Sequence, residues 1–331
     1  MGERKQYSAA VSRAVLALGL LDDTGWPDEK QLACLYSLSN APEQHYHPYT
    51  ISKRDGGARK LLVPDGLLKQ VQRRILQRVL EPQPVSVYAT AYHKGTQLRQ
   101  NGAPHLQQPL VLKLDIQDFF PSILLPDVLS ACFNSQQMLP SVGMLLANLC
   151  CYQGALPQGA PTSPAISNLV LRSFDDWLGR WCAAQNIVYT RYSDDLTFSG
   201  NFDAVKVQQR VAAALADRGF LLNKNKTQRL TTQNRQIATG VVVNDKLQVP
   251  RGYRRKLRQE IYYCQRYGAA SHLAHCNPQP ETKIADEQVR RYLQSLLGKV
   301  QFVLQINSDD AEFQQYHVWL QNNIHQASAN R

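Results

Sequence analysis

Two short acidic segments, far apart in the chain, constrain its fold more than any other feature. The first is Leu112-Lys113-Leu114-Asp115-Ile116-Gln117-Asp118-Phe119-Phe120, in which Asp115 closes the apolar run Leu110 to Ile116. The second is Tyr192-Ser193-Asp194-Asp195, set between the strand-like stretches Ile187 to Tyr192 and Leu196 to Phe198. Short apolar runs read as buried strands, and the polar residues between two of them read as a turn. A fold that sets this strand end beside this turn gathers three carboxylates. Such like charges are unfavourable together unless cations neutralise them. Hard divalent ions fit, because Mg²⁺ binds through one or two carboxylates plus substrate phosphates. Two such ions, about 3.5–4 Å apart, stabilise both oxygens of a nucleotidyl transfer. Paired aspartates also occur at ordinary turns, where Asp hydrogen-bonds its own backbone. Ser308-Asp309-Asp310 is of that kind and, with Glu312, reads as a helix cap. The flanking sequence therefore decides.

Composition supplies the context. At 331 residues the chain allows two domains or one elaborated fold. With 44% hydrophobic and 19% charged residues it has enough apolar material for a sizeable core. Lys plus Arg is 37 and Asp plus Glu is 26, so the net charge is 37 − 26 = +11. That excess favours a polyanionic partner, either nucleic acid or an anionic membrane surface. No apolar run reaches the roughly 18 residues of a membrane span. The polar start, Met1 to Gln6, and the absence of a small-residue cleavage site after Ala14 to Leu21 argue against a signal peptide. The seven cysteines lack a C-x-x-C pair, which fits reduced thiols in the cytoplasm. Cys264, His272, His275 and Cys276 are too irregularly spaced to read as a zinc site.

Apolar spacing predicts helical sequence within residues 7–40, broken by Pro42 and Pro48. It predicts a strand pair over Thr50 to Pro64 about Asp55-Gly56-Gly57, and a helix over Leu67 to Leu80 stopped by Pro82 and Pro84. Further helices are expected at Pro126 to Phe133, Ser141 to Cys151, Ser163 to Gln185 as one piece, and Val205 to Arg218. A hairpin is expected about Asn244-Asp245, then helical, basic sequence from Tyr253 with a loop at Asn277 to Pro280. Mixed α and β elements thus fill residues 50–250, with a helical extension.

In that span the chain resembles a reverse transcriptase. Asp115 with Phe119-Phe120 is similar to the first palm motif, and Tyr192-Ser193-Asp194-Asp195 to the Tyr-x-Asp-Asp signature. Between them Leu156-Pro157-Gln158-Gly159-Ala160-Pro161-Thr162-Ser163-Pro164 resembles the family's Pro-Gln-Gly-x-x-x-Ser-Pro loop. Leu222-Asn223-Lys224-Asn225-Lys226-Thr227 resembles the palm segment that follows. The resemblance implies an α+β right-hand polymerase. Residues 1–109 would hold N-terminal helices and fingers. Residues 110–250 would be a palm, an antiparallel sheet packed on helices, with an inserted fingers segment near 130–170. Residues 251–331 would be a small helical thumb. It implies that Asp115 and Asp194 hold two Mg²⁺ ions, with Mn²⁺ as a substitute. Asp195 is then a more peripheral ligand and Ile116 a carbonyl ligand. Phe120 stands where the family's aromatic excludes a ribose 2′-OH, and one of Phe119 and Phe120 should be core. Gln158 and Gly159 would line the nucleotide pocket, glycine permitting close backbone approach. Lys53 and Arg59 would grip the dNTP triphosphate, a task suited to guanidinium. Lys226 would protonate the pyrophosphate, with Lys224 as its rival.

The compact layout, with no room for a ribonuclease H, integrase or endonuclease domain, resembles bacterial retron enzymes. Asn101-Gly102-Ala103-Pro104-His105 is similar to the retron Asn-Ala-x-x-His element, with Gly102 in place of Ala. Ala238-Thr239-Gly240 is similar to its Val-Thr-Gly element, with Ala238 in place of Val. By resemblance, one structured non-coding RNA serves as template and primer. DNA synthesis starts from a guanosine 2′-OH, and the product is a branched RNA–DNA hybrid, msDNA. A separate effector protein and an antiphage role are commonly associated. The resemblance makes Asn101, His105, Thr239 and Gly240 RNA-binding candidates. Arg251, Arg254, Arg255, Lys256 and Arg258 form a basic cluster followed by Tyr262, Tyr263 and Tyr267. Cations there would contact RNA phosphates, and aromatics would stack on unpaired bases or pack under the helix. The rival readings are another defence or abortive-infection reverse transcriptase, and a non-catalytic RNA-binding scaffold on a palm.

Overall fold

The computed structural model describes residues 9–52, 56–93, 95–276 and 285–329. In chain order the elements are α1 (Ala9–Ala17), α2 (Asp28–Asn40), β1 (Tyr46–Ser52), β2 (Ala58–Pro64), α3 (Gly66–Ile75), α4 (Leu98–Gly102) and β3 (Leu110–Asp115). Then come α5 (Leu125–Cys132), α6 (Pro140–Cys150), α7 (Ser163–Val170), α8 (Arg172–Ala184), β4 (Val188–Tyr192), β5 (Asp195–Gly200) and α9 (Ala204–Ala216). The chain closes with β6 (Gln228–Thr231), β7 (Ile237–Ala238), β8 (Val241–Val242), α10 (Arg251–Tyr267), α11 (Ala269–His275), α12 (Asp286–Ile306) and α13 (Ala311–Ala329). The class is α+β, as expected. The main sheet has the order β4-β5-β3-β6. No helix among the described residues is long and apolar enough to cross a membrane.

The chain divides into two compact units. The first comprises the described residues of Met1–Thr96, Lys113–Thr197 and Phe202–Thr227. Its helix α3 begins at Asp65, whose carboxylate accepts from the Leu68 N–H at 2.9 Å, an N-cap. Leu68, Val71 and Ile75 form its buried stripe, and α6 packs against α1, α2 and α3. Strands β1 and β2 pair antiparallel from Tyr46 opposite Pro64 to Ser52 opposite Ala58. The sequence marks Pro48 as a break, yet it lies inside β1. Its partner Leu62 turns its N–H away, to the Gln158 carbonyl at 2.8 Å, so the missing proline donor is not needed. The expected single helix over 163–185 is two. Leu171, with ψ near 1°, ends α7 and starts α8, and α8 packs on β4.

The second unit comprises the described residues of Gln97–Leu112, Phe198–Asn201 and Gln228–Arg331. Its core joins Ala238, Val241, Val243 and Val249 to Leu257 and Ile261 of α10, Leu296, Val300 and Val303 of α12, and Phe313 and Leu320 of α13. The expected hairpin about Asn244-Asp245 is present: Val242 and Gln248 exchange backbone hydrogen bonds of 2.8 and 3.2 Å across it. A second hairpin, not expected, turns at Thr239-Gly240 between β7 and β8. Both turn residues have positive φ, +45° and +83°, as a two-residue hairpin turn requires. The loop expected at Asn277 to Pro280 lies outside the described residues.

Candidate active site

The first unit carries the acidic site. Asp115 ends β3 with only 6% of its surface exposed. The next residue, Ile116, donates its N–H to the Asp194 carbonyl at 3.0 Å. On the other side the Asp115 carbonyl accepts from Asn223 at 2.8 Å, and Ile116 bridges Leu222. Backbone pairing thus holds three distant segments together, as the two acidic motifs suggested. Ser193, at φ +61°, makes the sharp turn, and its hydroxyl accepts from the Tyr92 hydroxyl at 3.0 Å.

Under that turn lies a network invisible in the sequence. Arg191 and Asp175 are a fully buried ion pair, 2.6 Å at their shortest. Arg191 Nε also donates to Asp175, Nη2 donates to Asn168 Oδ1 at 3.1 Å, and Nη1 donates to the Ser193 carbonyl at 2.9 Å. Tyr189 donates its hydroxyl to Asp175 at 2.8 Å. Burial opposes the Arg191 charge, but Asp175 beside it raises its pKa above the ordinary value. Held by Asp175 and Asn168, the guanidinium pins the carbonyl of the turn that carries Asp194.

The carboxylates are strained. Burial first, then the Asp194 charge, raises the Asp115 pKa, against the pull of Lys226. Lys226 Nζ donates to Asp115 Oδ2 at 2.9 Å, while Oδ1 is buried without a hydrogen-bond partner. Burial also raises the Asp195 pKa, with Asp194 and Asp115 adding to it. For Lys226 partial burial works against the charge, but the hydrogen bond to Asp115 and the nearby carboxylates raise its pKa overall. It therefore stays protonated at neutral pH.

A cleft of about 420 Å³ opens here, lined by Arg59, Lys60, Phe120, Gln158, Asp194 and Lys226 together with Asp115 and Ile116. Phe119 is core, 4% exposed beside Phe220, and Phe120 faces the cleft. Lys226, not Lys224, reaches Asp115. One expectation needs correction. Among the described residues no three His, Cys, Asp or Glu side chains are gathered closely enough to enclose a metal ion. Asp194, in the turn, lines the cleft, and Asp195, the first residue of β5, does not. Gly159 closely approaches β2: a Cβ there would stand 2.7 Å from the Leu62 carbonyl. Lys53 lies outside the described residues. The remaining donors still suit a hard cation: the orphan Oδ1 of Asp115, the Asp194 carboxylate and the Ile116 carbonyl are all oxygens.

The RNA-binding candidates lie in the second unit. Asn101 and His105 are fully buried, which corrects their expected place at an RNA surface. Asn101 donates to Thr239 Oγ1 at 2.7 Å and so braces the Thr239-Gly240 turn, while His105 pairs with Ser199 at 2.7 Å. Gly102 stands where an alanine Cβ would press Val241 at 3.3 Å. Arg254 pairs with Asp310, and Arg258 with Glu312 at 2.6 Å, both lying over Phe313. Asp310 thus serves Arg254 through its carboxylate. Arg251, Arg255 and Lys256 form no ion pair among the described residues.

With this geometry established, comparison with known proteins is decisive. The family model for "Reverse transcriptase (RNA-dependent DNA polymerase)" matches residues 51–256, a span containing Asp115, the acidic turn and Lys226. The chain belongs to the reverse transcriptase family. The right-hand polymerase fold expected from the sequence accompanies that membership. Curated relatives of this reverse transcriptase are bacterial retron enzymes. The retron Mx65 reverse transcriptase of Myxococcus xanthus is 36% identical over 251 residues, 69% of this chain and 58% of the relative. The retron Ec83 reverse transcriptase of Escherichia coli is 31% identical over 243 residues, 68% of this chain and 77% of the relative. The chain therefore spans little more than half of the Mx65 protein. Among solved structures, a Candida albicans telomerase with a fragment of telomeric RNA aligns at TM-score 0.44 and 12% identity, over 85% of this chain and 63% of the other.

Proposed function

We propose that the chain is a retron-type reverse transcriptase. It copies a cognate structured RNA into DNA from a guanosine 2′-OH, yields branched RNA–DNA, and works beside a separate effector in antiphage defence. The observation that carries the catalytic part is the cleft itself. Asp115, whose buried Oδ1 has no hydrogen-bond partner, and Asp194 line a cleft that Arg59 and Lys226 also line.

Arg59 and Lys60 bind the dNTP triphosphate. Phe120 packs against the sugar and leaves no room for a ribose 2′-OH. The Gln158 loop bounds the pocket and is tied to β2 by the Leu62–Gln158 hydrogen bond. Lys226, held protonated by the carboxylates, gives its proton to the departing pyrophosphate. Asp115 and Asp194, with the Ile116 carbonyl, would hold Mg²⁺. When bound, the metal stabilises charge on the attacking and leaving oxygens. Arg251, Arg255 and Lys256 meet RNA phosphates.

Purified protein is given a primed RNA template, dNTPs and Mg²⁺. Asp115→Asn and Asp194→Asn should each lower incorporation by at least about a thousandfold, and both should still bind the cognate RNA. Undiminished incorporation in either variant rejects the catalytic assignment. Co-purified nucleic acid should contain a branched hybrid whose DNA survives RNase. Only unbranched RNA would reject the priming mode.

A further inference from the structure

The second unit contains a cavity of about 620 Å³ that the polymerase reaction does not use. Helix α10 supplies one wall through Lys256, Gln259, Tyr263 and Tyr267. These recur at i, i+3, i+7 and i+11, the spacing that puts residues on one helix face. Helix α11 supplies His272 on the other side. The rings form a column. Tyr267 and Tyr263 lie 6.1 Å apart at 30°, and Tyr263 and His272 stack at 5.4 Å and 19°. His272 continues to Tyr292 of α12 at 5.9 Å, with Nδ1 2.9 Å from its hydroxyl. The inner end of the column is thereby fixed. The outer end is open, with Tyr267 62% exposed.

The polar groups around this column are unevenly engaged. Glu260 is neutralised by Lys299 at 2.7 Å. Lys256 and Gln259 form no hydrogen bond or ion pair among the described residues. The wall thus offers flat aromatic faces, an uncommitted amide and an uncommitted cation. A nucleotide answers all three, with its base on the rings, the base edge at the amide and phosphate at the ammonium.

We propose that this cavity captures one unpaired nucleotide of the RNA bound to the chain, its base stacking with the Tyr267 and Tyr263 rings. The inference rests on the RNA-dependent reading above. The probe is a hexauridylate, compared with the same hexamer made abasic, against the full chain and its Tyr267→Ala and Tyr263→Leu variants. Thermal unfolding verifies that each variant folds. The unsubstituted chain should prefer the base-bearing hexamer by at least about fivefold, the effect of about 1 kcal/mol per stacked base. Both variants should lose most of that preference. An equal preference in all three proteins overturns the proposal. So does uridine monophosphate binding as tightly as the hexamer, which would make the site one for free nucleotides. Incorporation of dNTPs on primed RNA, measured in parallel, separates the two readings. Incorporation without a Tyr267-dependent base preference rejects the pocket alone.

Discussion

Arg191 is a charge with no water, and the acidic turn depends on it. Removing one partner of a buried ion pair leaves the other uncompensated at a cost of about 3–5 kcal/mol. Asp175→Asn should therefore lower the unfolding free energy by roughly that amount in urea titrations. Arg191→Lys keeps the charge but cannot reach Asp175, Asn168 and the Ser193 carbonyl together. It should lower kcat for dNTP incorporation by about 10- to 100-fold with little change in the dNTP KM, because small displacements at a reacting centre are costly. An equal rise in KM would mean that substrate binding, and not the turn, had been disturbed. At this scale the sequence was partly legible. Asp115 and Asp194 stood out because an acid at the end of an apolar strand is unusual, and the sequence implied that one of Phe119 and Phe120 is core but not which. Arg191 and Asp175 did not, since a buried charge looks like a surface one until its distant partner is known.

Hairpins and helices were legible where local chemistry alone decides them. Helix α3 has an Asp cap and a clean apolar stripe, and α9 begins at Asp203 and is followed by Gly219 at φ +80°. The Asn244-Asp245 hairpin was legible, but the Thr239-Gly240 turn before it was not, because a threonine at positive φ is unfavourable unless something distant holds it. Asn101 does so through the Thr239 hydroxyl. Helix α7 was joined to α8 because nothing in the sequence at Leu171 signals a break. The contact between β2 and the Gln158 loop was not legible for the same reason, its partner being remote. Gly159 combines φ +133° with a Cβ position 2.7 Å from the Leu62 carbonyl. Gly159→Ala should thus destabilise the protein by more than about 1 kcal/mol and raise the dNTP KM by displacing the Arg59 strand. A thermal melt and a steady-state titration check the two effects.

Across the whole molecule, net charge pointed to a polyanion, and the family match agrees with a nucleic-acid enzyme. The charge count says nothing about buried titratable groups. Burial lowers the His105 pKa from 6.5 to about 4. Between those values the unfolded chain binds a proton that the folded chain refuses, so stability falls as pH drops from about 6.5 to about 4. The difference, 6.5 − 4 = 2.5 units, corresponds to about 3 kcal/mol. His105→Gln should flatten this part of the curve in urea titrations run from pH 7 to pH 4. An unchanged slope would show that carboxylates account for all of it.

The pairing of Arg254 with Asp310 and of Arg258 with Glu312 bears on how this chain responds to salt. Binding to a nucleic acid is driven largely by the release of ions condensed on its phosphates, and only a cation that replaces one of those ions contributes. Of the five cations between Arg251 and Arg258, two already face carboxylates of their own chain, leaving 5 − 2 = 3. With α10 meeting single-stranded RNA as proposed, it should add a slope of about −2 to the logarithm of affinity against the logarithm of salt, where its composition alone would promise about −3.5. The helix is a weaker ion exchanger than it looks, and more of its discrimination must come from the shape and aromatic faces of the surface it shares with α11.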